Sequence, residues 1–128
     1  MVEGIIHKKL KKEIEEKYKR YFNVCFEFCI FNRNADVVLF KNHKLYAIIE
    51  CKNKQFKKEL FQKFDYWRKK GINCKFIVYS VKTSKPMIAK KCFREMGIEY
   101  IESKLKKDDW KNDFKIFPKE KGVVSDGS

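Results

Sequence analysis

Apolar residues recur along this chain with two different periods, and the switches between them divide it into elements. Ile6, Leu10 and Ile14 fall four apart with Lys and Glu between them, which predicts an amphipathic helix over residues 3 to about 21. Residues 22–31 are aromatic-rich and strand-prone, and Asn32-Arg33-Asn34 supplies a turn. A strand beginning near Asp36 turns at Asn42-His43 and returns through Tyr46-Ala47-Ile48-Ile49, an apolar run without alternation, as in a strand covered on both faces. Phe56, Leu60, Phe64 and Trp67 then repeat at helical spacing, predicting a helix over residues 55–70 with Gly71 as its C-cap and Phe64 and Trp67 in the core. A short buried-type strand at 74–80, a helix at 84–96 and a strand at 98–101 complete the pattern.

The order α-β-β-β-α-β-α-β predicts an α/β fold, a three-layer sandwich with a mixed central sheet flanked by helices. Residues 1–102 are expected to form one domain, and 103–128 a charged C-terminal extension with Trp110, Phe114 and Phe117 as the side chains able to dock back on it. A length of 128 residues suffices for one core and not for two. With 44% apolar and 16% aromatic residues the composition is globular, which excludes a disordered or fibrous chain. No apolar run reaches membrane-spanning length and the start reads as a charged helix, so a soluble, cytoplasmic protein with no membrane partner is expected. The five cysteines include no C-x-x-C pair and read as small buried hydrophobes in a reducing compartment.

Thirty-one Lys and Arg oppose 17 acidic residues, a net charge of +14 that favours a polyanion partner. Part of that excess is shared with an abundance of Lys, Ile, Phe and Asn of the kind an AT-rich genome produces. The interleaving of cations with Tyr, Phe and Trp nevertheless points to nucleic acid.

Chemistry concentrates in the central hairpin. Asp36 opens its first strand and Glu50-Cys51-Lys52 closes its second. Side chains alternate along a strand, so Glu50 and Lys52 share a face while Cys51 points away. A turn at Asn42-His43 returns the second strand to the start of the first, bringing Asp36 to Glu50 and Lys52. Two carboxylates and an ammonium at one sheet end suit a hard divalent cation beside a phosphate. The bland alternative is a solvated strand-end pair, against which stands the cost of placing charges directly after a buried run.

These residues resemble the PD-(D/E)xK nuclease superfamily, whose core is αβββαβ with an acidic residue on one strand and (D/E)-x-K on the next. Asn34-Ala35-Asp36 and Glu50-Cys51-Lys52 stand for the two halves. Gln62-x-x-x-Tyr66 resembles the Q-x-x-x-Y element of RecB-like nucleases, and Glu3-Gly4-Ile5-Ile6-His7 resembles the acidic and His residues opening the first helix in RecB-like and CoiA-like members, with two residues between Gly and His where three are usual. The resemblance spans about residues 3–80 and implies a restriction-endonuclease-like core and a Mg²⁺- or Mn²⁺-dependent deoxyribonuclease, endo- or exonuclease. It implies Asp36, Glu50 and the Cys51 carbonyl as metal ligands, Lys52 as the catalytic cation, His7 or Glu3 extending the metal site, and Gln62 and Tyr66 holding phosphate or water near the hairpin end. Glu3 could equally complement the helix dipole, and His7 could be a ligand or a helper. Lys57, Lys58 and Lys69 flank the second helix as expected DNA contacts. A homodimer or association with other DNA-processing proteins stays open. The alternatives are a non-catalytic nucleic-acid-binding module of the same fold and a Holliday-junction resolvase.

Overall fold

The computed structural model describes residues 4–52, 58–81 and 86–105, with the backbone alone for 86–89. Its elements run α1 (Ile5–Tyr18), β1 (Asn23–Ile30), β2 (Arg33–Lys41), β3 (Lys44–Lys52), α2 (Lys58–Lys69), β4 (Lys75–Ser80), α3 (Pro86–Glu95) and β5 (Glu99–Glu102). The protein is α/β, with one open mixed sheet in the order β1-β2-β3-β4-β5. β1, β2 and β3 form an antiparallel meander, and α2 and α3 carry the chain over to β4 and β5, which lie parallel to β3. None of the described helices is long and apolar enough to cross a membrane.

Burial explains why the run Tyr46-Ala47-Ile48-Ile49 does not alternate. Ala47, Ile49 and Cys51 pack with Ile6, Leu10 and Ile14 of α1, while Ile48 packs with Leu60, Phe64 and Trp67 of α2 and Phe93 of α3. β3 is therefore apolar on both faces, and each fully buried side chain of this size contributes about 2–3 kcal/mol. α1 is also tied down at its middle, because Glu13 accepts hydrogen bonds from the Tyr79 hydroxyl at 2.5 Å and from Ser103 Oγ at 2.7 Å. Burial, and then its bond to Glu13, raise the Tyr79 hydroxyl above its usual pKa, so it stays a donor.

The Asn42-His43 turn is as expected, with both residues at positive φ (53° and 67°) and Lys41 paired to Lys44. The preceding turn lies elsewhere than Asn32-Arg33-Asn34. Phe31 and Asn32 occupy it at φ 47° and 63°, and Arg33 and Asn34 already belong to β2. A two-residue left-handed turn lets the strands pair at once, and a phenylalanine in it is not a residue that turn chemistry predicts.

Strand alternation also slips. Ala35 joins the core on the α2 side and Val37 the core on the α1 side, although residues two apart ordinarily share a face. The slip falls at Asp36, at the level where Glu27 of β1 sits at φ 51° between the pairs Phe26–Val37 and Phe28–Ala35. The expectation of buried thiols holds for Cys51 alone, since Cys25 and Cys74 are half-buried and Cys29 and Cys92 exposed. Glu3, Lys57, Trp110, Phe114 and Phe117 lie outside the described residues.

Candidate active site

Backbone pairing of β2 with β3 extends to Val37–Ile49, and beyond it two carboxylates stand in for the ladder. Asp36 N–H donates to Glu50 Oε2 at 3.0 Å, and Cys51 N–H donates to Asp36 Oδ2 at 2.8 Å. Each strand thus satisfies an amide of the other through a side chain. The slip in alternation makes this possible, because it releases the Asp36 amide from the ladder.

Glu50 is only 2% exposed. Its remaining oxygen, Oε1, accepts from Lys63 Nζ of α2 at 2.8 Å. Burial first, and the neighbouring Asp36 charge second, raise the Glu50 carboxyl above its usual pKa, and Lys63 offsets part of that shift. A second cation between Asp36 and Glu50 would act in the same direction as Lys63. From the other face of the sheet, His7 Nε2 of α1 lies 2.8 Å from the Cys51 carbonyl oxygen. In the tautomer that donates to this carbonyl, His7 holds it in place. In the other tautomer, both atoms present lone pairs at a spacing close to the roughly 3 Å between adjacent ligands of an octahedral Mg²⁺, whose bonds are about 2.0–2.1 Å. Two carboxylates, a carbonyl and an imidazole therefore surround the end of β3, a donor set suited to Mg²⁺ or Mn²⁺. Among the described residues no three His, Cys, Asp or Glu side chains form a ready-made metal cluster, so such a site depends on the backbone oxygen.

A second charged group lies beside it. Lys11, one turn after His7 and only 7% exposed, pairs with Glu27, which also accepts from Asn34 Nδ2 at 2.6 Å. Burial alone would raise the Glu27 carboxyl, but the bonds from Lys11 and Asn34 outweigh it and hold it below its usual range.

The other expected site residues fall as follows. Lys52 is half-buried on the β3 face it shares with Glu50, and among the described residues it has no ion-pair partner. Tyr66 donates its hydroxyl to the Phe31 carbonyl at 3.0 Å, so it grips the β1–β2 turn and not the carboxylates. Gln62 is exposed and lines an open cleft of about 460 Å³ with Lys58, Phe61, Arg68, Met96 and Ile98, so it does not face the hairpin end with Tyr66. Lys58 is exposed at the start of α2, and Lys69 shares its charge with Asp65 at 3.1 Å. Lys63 is the contact that reading the sequence missed. Its signal was position: three after Leu60 and four before Trp67, it sits at the margin of the buried stripe of α2.

Because the folded Glu50 pKa lies above the ordinary 4.5, folding takes up a proton between the two values. The stability this group contributes is fully present below about 4.5 and is lost as pH rises through the folded value. Glu50→Gln should flatten that fall in a series of thermal melts across acidic to neutral pH. A mutant profile parallel to the wild type would mean that Glu50 is not ionising in a buried setting.

Comparison with protein-family models, curated proteins and solved structures finds no match to this chain.

Proposed function

We propose that this chain is a metal-dependent nuclease that hydrolyses phosphodiester bonds of DNA, with a restriction-endonuclease-like core formed by α1 to β4. The observation that carries the reading is the reciprocal pair of Asp36 and Glu50, each bonded to the other strand's amide, beside a carbonyl that His7 reaches from the opposite face. A purely structural strand end has no need of two converging carboxylates, one of them almost fully buried.

Asp36, Glu50 and the Cys51 carbonyl would hold the ion, with His7 as either a fourth ligand or the group that orients the carbonyl. Mg²⁺ or Mn²⁺, when bound, supplies an acidified water and neutralises charge at the phosphate. The chain does the rest. Lys52, on the same strand face as Glu50, stabilises the negative charge that builds on the phosphate oxygens as water adds to phosphorus and the leaving oxygen departs with a proton. Lys63 favours the ionised form of Glu50 and fixes its rotamer. The net charge of +14 draws the polyanion in without regard to sequence.

A non-catalytic binding module finds support in one feature, since Lys63 already neutralises Glu50. Calorimetric titration of Mn²⁺ separates the two readings. The nuclease reading expects one saturable Mn²⁺ site in the wild type, absent from Glu50→Gln, whereas a flat wild-type isotherm supports the binding module.

A further inference from the structure

We propose that the β1–β2 turn is a stacking site for an unpaired base, with Phe31 as the platform and Arg33 and Lys70 as phosphate partners. The inference rests on the nuclease reading and adds a substrate class to it: DNA presented to the carboxylates as a single strand.

Phe31 is 50% exposed and held at φ 47°, a conformation that disfavours any residue with a side chain and suits glycine. Folding alone does not call for a phenyl ring there. The turn is nonetheless firmly seated, because Tyr66 donates to the Phe31 carbonyl at 3.0 Å and Trp67 Nε1 donates to the Ile30 carbonyl at 2.9 Å. A strained, solvent-facing aromatic fixed by its backbone is a preorganised surface, and such strain gathers at functional sites.

Its surroundings carry the complementary chemistry. Lys70 Nζ lies 5.9 Å from the Phe31 ring centre and 5.5 Å from that of Tyr66, and the Arg33 guanidinium stacks 4.4 Å from the Tyr66 ring. Among the described residues neither Arg33 nor Lys70 has a carboxylate partner, so both cations are available to phosphate. Base on ring with cation on phosphate is the combination that binds single strands, and a base stacked between its neighbours inside a duplex offers no free face to Phe31. The turn also lies on the way to the carboxylates. Lys63, Tyr66 and Trp67 follow one another along one side of α2, and Lys70, directly after its last residue with its amide still bonded to the Tyr66 carbonyl, continues that side, so it lies about 10 Å along the helix axis from the lysine bonded to Glu50.

The test measures binding in EDTA, where no cleavage occurs, using a labelled dT oligonucleotide and a blunt duplex of equal length. Phe31→Gly should weaken oligo-dT binding about tenfold and duplex binding hardly at all. Its melting temperature should be unchanged or raised, because glycine relieves the left-handed backbone, so the loss is not one of folding. Phe31→Tyr should restore the affinity, and replacing Arg33 and Lys70 together by Ala should reduce the salt dependence by about two counterions. Wild-type dT affinity in Phe31→Gly overturns the proposal. So does a wild-type dimer in sedimentation that Phe31→Gly splits. Residues 21–32 contain no Lys or Arg, and that result would assign the ring to contact between copies along β1. If Phe31→Gly loses dT binding while the wild type shows no metal-dependent cleavage, the stacking site stands and the nuclease reading falls.

Discussion

Glu50→Gln is expected to cut DNA at least about 10³-fold more slowly than the wild type in Mg²⁺, while binding it as tightly or more so. The amide keeps the shape of the side chain, its single carbonyl oxygen can accept from either Lys63 or the Asp36 amide but not from both, and it removes one of the two charges facing each other across the strand end. Loss of the charged ligand forfeits several kcal/mol of metal-derived stabilisation, and roughly 4 kcal/mol corresponds to that rate factor. Binding moves the other way, because a negative charge near the phosphate is gone. Single-turnover cleavage read beside a binding isotherm in EDTA measures both. Equal cleavage by mutant and parent would remove Glu50 from the site.

The second large effect separates the two lysines. Lys52→Ala should slow cleavage about 10²–10³-fold and change affinity little, since it is one cation among 31 but lies two residues from Glu50 on the same strand face. Lys63→Met should instead act on folding. It leaves Glu50, 2% exposed, without the cation that, among the described residues, alone donates a hydrogen bond to it, at a cost of about 2–3 kcal/mol in stability by denaturant unfolding. Lys63 is itself partly exposed, which keeps the figure below that for a sealed ion pair. Equal loss of rate and affinity in Lys52→Ala would make it a phosphate anchor.

Much of this arrangement was legible in the residues. The Asn42-His43 turn returned β3 to the start of β2, but counting from it sets Asp36 opposite Ile49, and a register shift between Leu39 and Phe40, unmarked in the residues, brings Asp36 level with Glu50. The non-alternating run before Glu50 announced a strand covered on both faces, and burial of Phe64 and Trp67 followed from their spacing. What stayed hidden depends on backbone torsion and helix rotation. The turn at Phe31-Asn32 and the left-handed Glu27 break patterns that composition takes for granted, and the slip at Asp36, which frees its amide, has no marker in residue type. Gln62 and Tyr66 lie one turn apart, yet packing of Phe64 and Trp67 rotates α2 so that Tyr66 reaches the β1–β2 turn and Gln62 borders the cleft beside Met96. Lys63 comes to Glu50 through that same rotation.

The most direct measurement is incubation of the purified protein and its Asp36→Asn variant with labelled single-stranded, duplex and branched DNA in Mg²⁺, Mn²⁺ or EDTA. The wild type should shorten at least the single-stranded substrate with either metal, EDTA should stop it, and Asp36→Asn purified in parallel should be inactive. Products that persist in EDTA or with Asp36→Asn, or intact DNA under every condition with the wild type, would contradict the nuclease reading.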